Sequence, residues 1–274
     1  MTEIAYFESQ DGLLAYRDAG PRDGRALVLL HTGFTDSSQF ENLIPGLVAL
    51  GHRVVAPDAR GHGLSANATR AFRQTDDLAA LLAHLGLRQV VLVGISMGAL
   101  IAVDTAVEHP ELVRALVVSG RGLGEPDLGD PWAASVAEKQ VSALAAGDLD
   151  GYFDGFLQWI PGDRRSLDEI DPAITAQVRA MALRTMLKHT PDEPNHAVPV
   201  ADLAIRAKEI AVPVLAINGG YDVPGIRATA DELIRVVPNG RTVLLEEAGH
   251  YTTMEAPAEF TRVLADFLAG IDAA

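Results

Sequence analysis

Cysteine is absent from this 274-residue sequence, and basic residues are scarce. The chain therefore has no disulfide bond, no thiolate nucleophile and no metal site built on cysteine. Its 22 Lys and Arg residues are outnumbered by 37 Asp and Glu residues, which gives a formal net charge of −15 at pH 7. This acidic balance disfavours nucleic acid and anionic membrane surfaces as partners.

Long hydrophobic runs are also missing. No apolar stretch approaches the ~18–20 residues that span a bilayer. The segment Met1–Tyr6 lacks the charged and then apolar pattern of a secretory signal. Apolar residues make up 48% of the chain and charged residues 22%, which are ordinary values for a globular enzyme. These observations predict a soluble cytoplasmic protein, either a monomer or a homodimer, with neither a nucleic acid nor a membrane as partner.

Short apolar runs alternate with helical patterns along most of the chain. The first two runs flank Asp11-Gly12, a strong hairpin signal. Several later runs are apolar at every position, as in parallel strands buried on both faces. One helix is expected from the capping residues Asp36 and Ser37 to about Ala49. The pattern predicts a mostly parallel eight-stranded sheet flanked by helices. The predicted strands are 4–8, 13–17, 26–31, 52–56, 90–93, 115–119, 212–217 and 242–245.

The alternation is interrupted after Ser119 and resumes near residue 209. Between them lie loops rich in Gly, Pro and Asp, followed by three amphipathic helical patterns. The first pattern includes Val136, Leu144 and Leu149. We therefore expect a core formed by residues 1–120 and 209–274, with a helical cap inserted at 121–208 that acts as a movable lid.

The segment Gly94-Ile95-Ser96-Met97-Gly98 lies between an apolar strand and a helical pattern. A sharp turn from a buried strand into a helix strains its corner residue and leaves little room two residues on either side, which explains the two glycines. The corner presents the Ser96 hydroxyl at the positive end of the helix. Ser96 is therefore the predicted nucleophile, and the backbone N–H of Met97 is positioned for an oxyanion.

A serine nucleophile needs a base and a group that orients the base. His250 follows the last predicted strand, and Asp222 follows the strand before it. Loops after parallel strands emerge at one edge of the sheet, the edge that also presents Ser96. The chain order Ser96, Asp222, His250 is the order expected for a hydrolase with such a turn.

Together these motifs resemble the α/β-hydrolase superfamily over essentially the whole chain. The matching segments are Gly94–Gly98, Asp58-x-Arg60-Gly61-His62-Gly63-x-Ser65, Gly219-x-x-Asp222 and Ala248-Gly249-His250. The resemblance implies the α/β-hydrolase fold and a catalytic triad of Ser96, Asp222 and His250. It also implies a second oxyanion donor, the backbone N–H of Phe34. The segment His31–Asp36 departs by one residue from the commoner His-Gly-x form of that loop, which leaves the donor's position open by one residue.

The resemblance implies a structural role for the Asp58–Ser65 loop, with Asp58 and Arg60 bracing the sheet edge. Its residues lack the spacing of a metal site. Neither a metal nor a cofactor is expected. Trp132, Trp159 and Tyr251 are the candidate pocket residues, whereas most of the aromatic cluster at 152–159 is expected to form the core of the cap.

A serine nucleophile favours acyl transfer through an acyl-enzyme. Relatives that act on haloalkanes or epoxides have aspartate at the position of Ser96, so the resemblance points instead to a small carboxylic ester or lactone as substrate. Two other activities remain open: hydrolysis of a carbon–carbon bond of meta-cleavage type, and cofactor-free perhydrolysis of haloperoxidase type. A ligand receptor with this fold and slow turnover is the alternative outside enzymes.

Overall fold

The computed structural model describes residues 3–190 and 192–272. Three of the regions predicted above extend outside the described residues. They are the amino-terminal segment, at Met1 and Thr2, the insertion, at position 191, and the core, at its last two residues. Within the described ranges, no helix combines the length and apolarity needed to cross a membrane.

The described strands form one eight-stranded sheet in the order β1-β2-β4-β3-β5-β6-β7-β8. β1 and β2 form the predicted antiparallel hairpin, β2 runs antiparallel to β4, and all other neighbours are parallel. The expected mostly parallel sheet is therefore confirmed. The strands are β1 Ile4–Ser9, β2 Gly12–Ala19, β3 Ala26–Leu30, β4 Arg53–Pro57, β5 Val90–Ile95, β6 Val113–Ser119, β7 Val214–Gly219 and β8 Gly240–Leu245.

The central strands have apolar residues at successive positions, so helices can cover both of their faces. In β5, Val90 and Leu92 pack into the core on one side of the sheet, whereas Val91 and Val93 pack into the core on the other side. Successive side chains of a strand point to opposite faces, so a strand with helices on both sides needs apolar residues at every position. This burial fixes the carboxyl end of β5, where Ser96 follows.

Helices cover both faces and also fill the interval between β6 and β7. They are α1 Ile44–Ala49, α2 Gln74–His84, α3 Met97–Glu108, α4 Pro131–Ala145, α5 Leu149–Leu157, α6 Pro172–Met186, α7 Leu203–Arg206, α8 Pro224–Val236, α9 Thr252–Glu255 and α10 Pro257–Asp272.

Two predicted helix boundaries are wrong. The single helix expected from Asp36 to about Ala49 is a short 3₁₀ turn, Ser37–Phe40, followed by α1. Pro45 has no N–H to donate and is tolerated only in the first turn of a helix, so a new helix begins there. Leu149, expected in the first amphipathic pattern, instead begins α5. Gly147, with φ of 70°, separates it from α4.

The helices between β6 and β7 have an apolar cluster of their own. Residues of α5, α6 and the loop between them pack with Tyr251 and Met254, which lie beside the last loop of the sheet. The last residues before β7 do not belong to this cluster. Leu203 and Ala207 pack instead with the apolar core on one face of the sheet, the core that also contains Val90 and Leu92.

Candidate active site

Ser96 occupies a sharp turn between β5 and α3. Its backbone has φ of 53° and ψ of −112°, a conformation that costs free energy for any residue with a side chain. A Cβ atom on Gly94 would lie 2.2 Å from the carbonyl oxygen of Gly98, and one on Gly98 would lie 2.0 Å from that of Leu30. Glycine is therefore required on both sides of the serine.

Asp222 and His250 meet at the carboxyl edge of β7 and β8. The Nδ1 atom of His250 lies 2.9 Å from Oδ2 of Asp222, and the backbone N–H of Val223 donates to the other carboxylate oxygen at 2.8 Å. Both side chains are buried. Since an ionised carboxylate only accepts hydrogen bonds, Nδ1 of His250 carries the hydrogen and Nε2 is left as the basic atom.

The surroundings of His250 raise its pKa above the ordinary value of 6.5. Burial alone would lower this pKa, because it penalises the charged imidazolium. The charge and hydrogen bond of Asp222 outweigh burial, the charge of Glu255 adds to their effect, and Arg121 opposes them. The protonated ring is thus stabilised, as a base that accepts a proton during a reaction requires.

Ser96 and His250 line one cavity of about 370 Å³. Within the described residues they form no hydrogen bond to one another. Contacts between a nucleophile and its base are often loose without substrate and tighten in the complex, so the shared cavity is the relevant observation. The structure therefore brings all three residues of the predicted triad to one site.

Phe34 and Met97 both line this cavity, and within the loops and caps of the described residues neither backbone N–H has a hydrogen-bond acceptor. Met97 is the first residue of α3, where N–H groups have no acceptor within the helix. Phe34 has φ of 62°, which is unusual for a residue with a side chain, and its ring lies on the cavity wall. The geometry is compatible with two donors to an oxyanion.

The predicted pocket residues fall into two groups. Trp159 and Tyr251 line the cavity, but Trp132 does not. Trp132 packs edge-on against Trp159, with ring centroids 5.5 Å apart, and so supports the wall from behind. Tyr152 and Phe153 do lie in a buried cluster of the inserted helices, with Phe156 packed against it, as expected for most of the aromatic cluster. The expectation is incomplete, because Tyr152 and Phe156 also line the cavity.

The Asp58–Ser65 loop lies outside this cavity. Asp58 accepts hydrogen bonds from the backbone of Ser37 and Leu64, each at 2.8 Å, and Arg60 forms a two-pronged ion pair with Asp77. These contacts hold the loop against its neighbours. In the described part of the chain, no group of three or more His, Asp or Glu residues is arranged to hold a metal ion.

Glu255 also belongs to this site, although nothing in its local sequence predicts it. One of its carboxylate oxygens accepts from the backbone N–H groups of Gly249 and Tyr251, on either side of His250, at 3.1 and 3.2 Å. The other is paired with Arg165 at 2.6 Å. Glu255 therefore holds the histidine loop, and Arg165 connects that loop to the inserted helices. No local motif marks this arrangement, because Arg165 and Glu255 are 90 residues apart in the sequence.

We expect Glu255→Gln to shift the acid limb of the pH profile. The base must be neutral to accept a proton, so activity falls as the pH drops through the raised pKa of His250. The amide oxygen of the variant can still accept both N–H groups, but loss of the negative charge lowers the pKa of His250. The limb should therefore move to lower pH, which kcat/KM measured against pH will show.

Glu259→Gln, an exposed change on α10, is the matched control for Glu255→Gln. An acid limb that is unchanged or moves upward would contradict this role for Glu255.

Comparisons with known proteins agree with this architecture. Residues 27–263 match the model of the alpha/beta hydrolase family. The chain is 29% identical to a Bacillus subtilis protein provisionally named 2-succinyl-6-hydroxy-2,4-cyclohexadiene-1-carboxylate synthase, over 94% of this chain and 95% of that one. It is 32% identical to haloalkane dehalogenase 1 of Mycobacterium bovis, over 85% and 80% of the two chains. The crystal structure of the enol-lactonase from Burkholderia xenovorans is similar in fold, with a TM-score of 0.76, 24% identity and coverage of 97% and 100%.

Proposed function

The chain belongs to the alpha/beta hydrolase family, and we propose that it is a serine hydrolase that cleaves a small carboxylic ester or lactone. One observation carries the proposal: Asp222 orients His250 through a buried 2.9 Å contact, and His250 shares a cavity with Ser96 at a strained turn. A serine hydroxyl with an oriented imidazole base is the arrangement that acyl transfer requires.

The proposed reaction has two steps. The Ser96 hydroxyl attacks the carbonyl carbon as Nε2 of His250 takes its proton, and the N–H groups of Phe34 and Met97 stabilise the resulting oxyanion. The tetrahedral intermediate then collapses, and His250 returns the proton to the departing alcohol oxygen. Water, activated by the same imidazole, next attacks the acyl-enzyme and releases the acid. In a lactone the alcohol stays tethered to the acyl group.

We further propose that the segment 121–208 is a cap over this site. Trp159 and Phe156 of that segment form part of the cavity wall, and Arg165 ties it to the histidine loop. Wall residues from an inserted segment would set which acyl and alcohol groups fit. The choice of an ester rests on Ser96, since the resemblance places aspartate at this position in enzymes acting on haloalkanes.

The direct test is hydrolysis of short p-nitrophenyl esters beside a panel of γ-lactones, followed from the first turnover into the steady state. Many turnovers per molecule are expected, and the ratio of ester to lactone rates assigns the substrate class. A single stoichiometric burst without further turnover would contradict the proposal and favour a slow ligand receptor. No reaction with any member of either panel would also overturn it.

A further inference from the structure

Arg121 gives the cavity its only permanent charge among the described lining residues. Asp and Glu are absent from that described lining. Among the described lining residues, only His250 changes its charge near neutral pH. The guanidinium is close enough to His250 to lower its pKa. A positive group in a largely apolar and aromatic wall is costly to bury unless it has an anionic partner.

The backbone holds Arg121 firmly in this position. Gly120 lies directly against the ring of His250, since a Cβ atom there would be 2.8 Å from Cε1. The N–H of Gly120 donates to the side chain of Asn218 at 3.1 Å, and that of Gly122 donates to Thr229 at 3.1 Å. Arg121 is thus anchored on both sides, next to the catalytic machinery that we propose.

Two buried arginines elsewhere in the chain show the pairing that Arg121 lacks. Arg53 and Arg60 each present Nε and Nη2 as a fork to both oxygens of one carboxylate, Asp18 and Asp77 respectively. In Arg121 the Nε atom is buried without any hydrogen-bond partner. Its Nη2 atom makes two long contacts of 3.3 Å, to the carbonyl of Gly124 and to the carboxylate of Glu125.

The contact between Glu125 and Nη2 of Arg121 would compete only weakly with a ligand carboxylate. The Glu125 side chain is 93% exposed, whereas that of Arg121 is 17% exposed. Exposed ion pairs of this kind contribute little. A carboxylate entering from the cavity would displace Glu125 from Nη2, and a shift of the guanidinium would bring the buried Nε to its second oxygen. Such planar, two-pronged pairing with a carboxylate is characteristic of arginine.

We infer that the substrate carries a carboxylate that Arg121 binds. This inference rests on the proposed serine hydrolase and deepens it, because it assigns the substrate to the anionic esters or lactones. Arg121 is then a specificity-determining residue, and loss of its charge should affect anionic substrates far more than neutral ones.

The test compares two substrates that differ only in charge. Mono-p-nitrophenyl adipate ends in a carboxylate, and the matching adipamate ends in a neutral amide of the same shape. We expect kcat/KM to favour the adipate in the wild type, and Arg121→Met to reduce that preference by about 10- to 100-fold, as loss of a charged hydrogen bond implies.

Arg121→Lys should restore part of the preference for the adipate. Glu125→Gln, which removes the competing carboxylate, should increase it. Arg235→Met, an exposed change on α8, is the control.

A binding measurement separates this inference from the proposed activity. Quenching of tryptophan fluorescence, to which Trp159 on the cavity wall contributes, reports binding of 4-phenylbutyrate and of its neutral amide to the Ser96→Ala variant. Preference for the carboxylate that disappears with Arg121→Met supports the inference even if no ester is hydrolysed. Equal binding of the acid and the amide overturns it, and so does equal hydrolysis of the adipate and adipamate by an enzyme that depends on Ser96.

Discussion

Ser96→Ala will reduce kcat/KM for a p-nitrophenyl ester by about 10³- to 10⁶-fold, the range in which loss of a serine nucleophile leaves only binding and oxyanion stabilisation. The reason is chemical, since alanine has no oxygen to form the acyl-enzyme. The fold should persist, because the strained backbone at this position already accommodates a Cβ atom. Steady-state kinetics with the purified variant, and circular dichroism to verify its fold, will measure the effect.

Ser142→Ala is the matched control for this variant. Ser142 lies on the exposed side of α4 and outside the cavity, and its loss should leave kcat/KM unchanged. If Ser96→Ala and Ser142→Ala hydrolyse the ester at similar rates, the assignment of Ser96 as nucleophile is wrong.

The second large effect is expected from Asp222→Asn, which should lower kcat by about 10⁴-fold. Asparagine has nearly the same shape, but its amide group can donate to Nδ1 of His250. The imidazole would then carry its hydrogen on Nε2, facing Ser96, and could not accept the proton of the serine. Loss of the negative charge also lowers the pKa of His250. Kinetics at several pH values will separate these contributions, since a tautomer effect persists at high pH.

An equivalent change on the surface provides the comparison. Asp231→Asn alters an exposed carboxylate on α8 and should have no measurable effect on kcat. A loss below tenfold in Asp222→Asn at every pH would show that Asp222 does not orient the base.

The positions of the three residues of the proposed triad could be predicted because each depends on local sequence. The apolar strand before Ser96, the two glycines around it and the loops after β7 and β8 are contiguous segments. The parallel arrangement then places the ends of these strands at one edge, so the local segments and their chain order together predicted that Ser96, Asp222 and His250 would meet.

The cavity wall could not be predicted in the same way. Whether an aromatic residue of the inserted segment faces the cavity or supports another ring depends on how α4 and α5 pack. Trp132 and Trp159 are alike in sequence, yet only Trp159 lines the cavity while Trp132 lies behind it. Composition and periodicity do not distinguish these two positions.

Ion pairs between residues far apart in the chain also cannot be predicted from the sequence. Glu255 and Arg165 are 90 residues apart, and their pairing is known only from the fold. Arg121 does offer a signal, since it lies two residues beyond β6 at the edge that carries the site. That position alone does not reveal a binding role, because the incomplete pairing of the guanidinium is visible only in the structure.

The central claim is that Ser96 becomes covalently acylated, and rapid-quench mass spectrometry tests it most directly. The wild-type protein is mixed with an excess of a slowly deacylated p-nitrophenyl ester and acidified within the first turnover. We expect a mass increase of one acyl group, located on the peptide that contains Ser96, together with one equivalent of p-nitrophenolate. Sustained turnover with no acylated protein at any time would contradict it, because water would then attack the substrate directly.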